Sequence, residues 1–178
     1  MTDSRSAVPR HVSQFKRTGP EWIREATKLY PAGVAAICAM VDGQPVGFVA
    51  TSFTVGISFE PPLVLFAVQN SSRTWPLLRD RQHLGVSALA ADQMPAVYQL
   101  ASRSRDRFAG LSIAQTDTGA LFIDGAALWL ECHVETSTPA GDHEVVILHV
   151  EGAASGEPRT PLIQHGPRLW TLAEPLQR

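Results

Sequence analysis

Val34-Ala35-Ala36-Ile37-Cys38-Ala39-Met40-Val41, then Asp42-Gly43-Gln44-Pro45, then Val46-Gly47-Phe48-Val49-Ala50-Thr51-Ser52-Phe53 reads as two apolar strands joined by a tight turn. Asp-Gly between apolar runs is a hairpin signal, because the turn needs positive φ, which glycine adopts without steric cost. Working outward, the continuous apolar run 63–68 follows Pro61-Pro62 and fits a strand buried on both faces. Further strands are expected at 84–89, 121–123, 126–135 and 144–151. Over 128–135 the alternation is clear, with Leu128, Leu130, Cys132 and Val134 on one face and Trp129, Glu131, His133 and Glu135 on the other. Toward the N-terminus, Trp22, Ile23, Ala26, Leu29 and Tyr30 recur at three-to-four spacing behind Pro20. That pattern predicts a short amphipathic helix packed on the body. Shorter helical segments are expected at 75–79 and 92–101. Six or seven short strands with few short helices predict a mainly β fold, a closed or nearly closed antiparallel barrel.

The chain has 178 residues, 44% of them hydrophobic and 18% charged, which suits one globular domain. We expect that domain at 14–172, between tails at 1–13 and 173–178. A net charge of -2 and a pI near 6.3 provide no overall field for nucleic acid or an anionic membrane to follow, so any anion site must be local. No apolar run reaches the roughly 20 residues of a spanning helix, and residues 1–6 lack a signal-peptide layout, so the expected location is cytoplasmic. Cys38 and Cys132 each sit in an apolar stretch, where a reduced thiol behaves as a small buried hydrophobe.

Three segments have the residue types of a ligand site. In Asn70-Ser71-Ser72-Arg73-Thr74, an amide, three hydroxyls and a guanidinium precede a helical turn with Pro76 near its start. Free N–H groups there favour a phosphate, and Arg73 could add a charge-assisted contact; an ordinary N-cap beside a solvated arginine reads equally well. Ala50-Thr51-Ser52-Phe53 ends a strand with small hydroxylated residues that let a planar ligand approach the backbone, or it is only a polar strand end. Gly141-Asp142-His143-Glu144 places a histidine at a tight turn, where it either meets a ligand or is merely exposed. The spacings of histidine and cysteine match no zinc pattern, so no metal is expected. Neither a Gly-x-Ser-x-Gly elbow nor a dinucleotide or phosphate-loop glycine motif is present.

Taken in order, these segments resemble the flavin reductase family with the split-barrel FMN-binding fold. The matching pieces run from Pro31-Ala32-Gly33-Val34-Ala35 through 47–53, Ser58-Phe59-Glu60-Pro61-Pro62-Leu63-Val64 and 70–74. They continue with Val86-Ser87-Ala88-Leu89-Ala90-Ala91-Asp92-Gln93, Arg107-Phe108-Ala109-Gly110, Gly141-Asp142-His143 and Pro161-Leu162. The resemblance implies a homodimer that binds FMN or FAD, takes hydride from NADH or NADPH and serves a separate flavin-dependent oxygenase. By that analogy Ala50, Thr51, Ser52 and Phe53 line the flavin ring, and Asn70, Ser71, Ser72, Arg73 and Thr74 hold the phosphate. Ser87, Ala88, Leu89, Ala90 and Gln93 flank the ribityl chain or ring, while Phe108 and the catalytic candidate His143 lie near the exposed flavin face. The chain departs from the family at Val49, Ser87 and Leu148, where Thr, Asn and Gly are common. Two other readings stay open, a non-catalytic flavin carrier or redox sensor and a split-barrel oxidase of a small substrate. The latter needs a basic pocket, for which Arg103, Arg105 and Arg107 qualify unless they are simply solvated.

Overall fold

The computed structural model describes residues 19–173; apart from Ala173, the expected tails lie outside this range. In chain order the elements are α1 (Pro20–Thr27), β1 (Ala32–Gly33), β2 (Ala35–Val41), β3 (Gln44–Ala50), β4 (Thr54–Phe59), β5 (Pro62–Gln69), α2 (Trp75–Leu78) and β6 (Leu84–Ala88). After a 3-10 turn at Ala91–Gln93 come α3 (Met94–Leu100), β7 (Ile113–Gln115), β8 (Leu121–Ile123), β9 (Leu128–Ala140), β10 (His143–Ala154), β11 (Leu162–His165) and β12 (Arg168–Thr171).

The hairpin read from the sequence is present. Val41 pairs with Gln44, and Asp42 and Gly43 have φ of 51° and 77°, the two positive values that a type I′ turn requires. The seven-stranded antiparallel sheet runs β3-β2-β6-β9-β10-β5-β4 and curls around one core; β1-β11-β12 and β7-β8 form smaller sheets. Among the described residues no ladder joins β3 to β4, so the mainly β fold is an open, split barrel rather than a closed one.

β2 is the strand buried on both faces. Ala35, Ile37, Ala39 and Val41 pack in the barrel with Phe66, Val86, Leu130 and Leu148. Ala36 and Cys38 pack in a second core with Leu100 of α3 and with Leu121 and Ile123 of β8. The expectation for 63–68 is overturned: Val64, Phe66 and Val68 are buried, whereas Leu63, Leu65 and Ala67 stay half-buried. An apolar run does not disclose which of its faces another element will cover. β4 was not expected at all, and α1 forms without burying any residue, with Trp22 45% and Ile23 51% exposed.

Cys38 and Cys132 are free and buried. Burial pushes both thiols from 9.0 up to about 12, and the charges of Glu151 and Glu131 add to the shift at Cys132. The fold therefore disfavours the thiolate. Its stabilising effect is complete below pH 9 and is lost as pH rises from 9 toward 12. Native protein at neutral pH is expected to resist a thiol-specific reagent and to label at both cysteines once unfolded. Rapid labelling before unfolding would show that the interior is not closed.

Candidate functional site

The barrel is split at one corner. β3 and β4 are the outer strands of the sheet yet consecutive in sequence, and residues 51–53 carry the chain across the gap. There the Ser52 hydroxyl accepts a hydrogen bond from Ala67 N–H (2.9 Å) and donates to the Ala67 carbonyl (2.8 Å). Ser52 ties the corner to β5, which leaves one lone pair of its oxygen for anything else.

A cleft of about 750 Å³ opens beside this corner, within the size range of small-molecule and cofactor sites. Phe48, Val49, Ala50, Val68 and Leu100 make an apolar wall, and Thr51, Ser52, Ala67 and Gln69 complete the β3–β5 side. Ser71, Ser72, Arg73 and Thr74 line the other side with Arg103 and Arg107, and His143 stands at the rim of the hairpin. Among the described residues no aspartate or glutamate lines it. A chain of net charge -2 thus concentrates three guanidinium groups in one cleft, an arrangement that selects anions.

Loop 70–74 is held from below. Trp75 is 4% exposed, lies edge-on to Phe66 (5.2 Å, 86°) and donates from Nε1 to Glu144 (3.1 Å). The Ser72 hydroxyl accepts from Trp75 N–H (3.1 Å), capping the turn. Arg107 holds the loop from the side, because its Nη1 donates to the Thr74 hydroxyl (2.8 Å) and the Gly47 carbonyl (2.9 Å), and its Nε to the Ser102 carbonyl (2.7 Å). The sequence reading missed this clamp: alternating arginines at 103, 105 and 107 carry no sign of which one turns inward. Asn70 does not line the cleft but positions what does, its N–H donating to the Asp142 carbonyl (3.0 Å) and its Nδ2 to the Gly141 carbonyl (3.2 Å). It thereby joins the loop to the turn before His143. Gly141 has φ of 66°, as the first central residue of a type II′ turn must. Next to it, His143 Nδ1 is 2.7 Å from Asp142 Oδ1, and this hydrogen bond and the histidine charge hold the Asp142 carboxyl below the usual range.

The remaining sequence-predicted residues lie outside the cleft. Phe53 packs against the barrel core, and Phe108 is buried in the second core. Ser87 is fully buried, its hydroxyl accepting from Ile123 N–H (3.0 Å). Leu89 and Ala90 are each 1% exposed, and half-buried Ala88 pairs with Ala35. Gln93 uses its side chain on Ala90 N–H (3.0 Å) and the Asp124 carbonyl (2.7 Å). Most polar groups of this segment make their hydrogen bonds within the chain. Of the departures, Leu148 is buried in the barrel core and only Val49 lines the cleft. A smaller cavity of about 290 Å³ is lined by Phe122, Trp129, Glu131 and Ala154 among others, with no lysine or arginine among its described lining residues.

These features fit a ligand with an anionic end and a flat apolar body. Residues 27–172 match the family model described as flavin reductase like domain. The chain is 36% identical over 129 residues to a flavin reductase of Pseudomonas putida, covering 72% of this chain and 75% of that one. It is 31% identical to the reductase subunit of a flavin-dependent monooxygenase from Rhodococcus jostii, over 81% of this chain and 73% of the other. A crystallised NADH:FAD oxidoreductase of Streptomyces globisporus, in complex with NAD and FAD fragments, superposes with a TM-score of 0.81 at 28% identity, covering 89% of this chain and 98% of the other.

Proposed function

This chain belongs to the flavin reductase-like family, and we propose that the arginine-lined cleft at the barrel split is where it binds flavin. The chain is an NAD(P)H:flavin oxidoreductase, the reductase half of a two-component system that passes reduced flavin to a separate oxygenase. The observation that carries the assignment of the cleft is the pairing, among the described residues, of three arginines and no carboxylate with an apolar wall.

Arg73 and Arg103 would hold the flavin phosphate, and Arg107 would keep Thr74 turned toward it. Phe48 to Ala50 and Val68 would exclude water from the ring. A bound flavin would supply the hydride-accepting chemistry for the reduced nicotinamide, which needs no protein nucleophile. The chain therefore supplies orientation and a dry surface. His143, fixed by Asp142 and indirectly by Asn70, would orient the nicotinamide.

The chain is further proposed to be a cytoplasmic homodimer. Two free buried cysteines accord with a reducing compartment. Phe59 (86% exposed), Val55 (57%) and Ile57 (38%) on β4, with Tyr30, present apolar surface of the kind a second copy covers. Among the described residues no helix is long and apolar enough to cross a membrane.

The test is loss of nicotinamide absorbance with NADH or NADPH and FMN, FAD or riboflavin in turn, on protein whose sedimentation reads a dimer mass. Oxidation that needs both nucleotide and flavin is expected, and His143→Ala is expected to lower kcat/KM for the nucleotide by about tenfold or more without lowering the melting temperature. Wild-type kinetics in that variant would remove His143 from the site. Flavin bound without any oxidation would leave a carrier.

A further inference from the structure

On the outer face of β6, β9 and β10, away from the cleft, lies a cluster that the proposed activity does not use. His83 precedes β6, Glu131 lies on β9 and Glu151 on β10. Glu151 sits at a bulge: Val150 pairs with Cys132 and Gly152 with Glu131, which leaves Glu151 as the extra residue. Bulges re-aim side chains, and here the carboxylate meets two imidazoles. Glu151 Oε2 is 2.9 Å from His83 Nδ1, and Glu151 Oε1 is 3.0 Å from His133 Nδ1. His83 Nδ1 is also 3.4 Å from Glu131 Oε1.

We propose that His83, Glu131 and Glu151 form a binding site for a first-row divalent metal ion such as Zn²⁺. Two carboxylates converge on one imidazole nitrogen, which carries at most one hydrogen, whereas a cation satisfies all three groups at once. One ligand atom from each residue lies within 4.8 Å of the others, and the separations of 2.9 and 3.4 Å correspond to angles of roughly 90° and 110° at an ion with arms of about 2.1 Å. Carboxylate and imidazole donors suit Zn²⁺, Co²⁺ and Mn²⁺. Water would complete the shell, because the three side chains are still 22–36% exposed. Glu131 is already oriented by the hydroxyls of Thr116 and Thr118, the kind of outer contact that steadies a metal ligand. Beside the cluster, His149 stacks on His133 (4.9 Å) with its Nδ1 buried and without a hydrogen-bond partner among the described residues. An ion here would staple the loop before β6 to β9 and β10. Ligands 20 to 68 positions apart in the chain escape any search by close spacing, which is why the sequence predicted no metal.

The experiment is titration of chelator-treated full-length protein with Co²⁺ alone. One equivalent per chain is expected to develop the visible absorption of four-coordinate Co²⁺, to be displaced by Zn²⁺, and to raise the melting temperature by several degrees. His83→Ala and Glu131→Gln are each expected to weaken binding on the order of 100-fold while NADH oxidation with added flavin stays at the wild-type rate. Absence of saturable binding in the wild type, or equal binding in a folded variant, overturns the site. Should either variant fail to fold, the wild-type melting shift decides: a rise saturating at one equivalent supports the site, and no rise rejects it. The outcome is independent of whether flavin binds in the cleft.

Discussion

Gly85→Ala is expected to lower the melting temperature by about 6–12 °C, equivalent to roughly 3 kcal/mol for a domain of this size. Gly85 lies in β6, where β8 crosses it. A Cβ there would collide with the carbonyl oxygen of Leu121 and come within 2.6 Å of its carbonyl carbon and 2.8 Å of its nitrogen. All three are backbone atoms of a strand packed in the second core, so no rotamer change relieves the clash and β8 must move. Gly33→Ala is the control, since no described residue lies within 4 Å of a Cβ at that position. Its melting temperature is expected to stay near wild type. Thermal unfolding followed by circular dichroism reads both, and equal curves would mean that β8 yields where the packing says it cannot.

Arg107→Ala is expected to raise the flavin concentration needed for half-maximal NAD(P)H oxidation by about 10- to 100-fold, the equivalent of one or two lost charge-assisted hydrogen bonds. The guanidinium spans three acceptors, Thr74, Gly47 and Ser102, with two different nitrogens. Arg107→Lys is expected to recover little, because an ammonium on a flexible stem cannot reproduce that fixed fork. Arg103→Ala, which removes an exposed guanidinium from the same cleft, should cost less. Flavin titration by fluorescence quenching separates binding from turnover. If Arg107→Lys matched wild type, charge alone rather than the held loop would account for the site.

How far the sequence reached can be followed through particular residues. Asp42-Gly43 marked its hairpin because the signal lies within four residues, and the alternation over 128–135 marked β9 for the same reason. Residues 121–123 were expected as a strand and are β8. β4 went unread although Val55, Ile57 and Phe59 alternate with small or polar residues at the period of a strand; the fold leaves all three exposed, so no buried face accompanies that alternation. The segments around 50–52, 70–74 and 141–143 stood out by residue type and order, and the fold brings Ala50, Thr51, Ser52, Ser71, Ser72, Arg73, Thr74 and His143 to one cleft. Ser87, Leu89, Ala90 and Phe108 stood out equally, and the fold turns them inward.

The sequence by itself determined the class of fold, the turns and the chain order of the family's segments, because these follow from short-range sterics and local alternation. Tertiary structure alone decided that β2 rather than β5 is covered twice, that Arg107 rather than Arg105 clamps the cleft, and that Glu151 meets His83 and His133. Each of these depends on which distant surface arrives at a residue, and that is settled by packing over separations that no local pattern records.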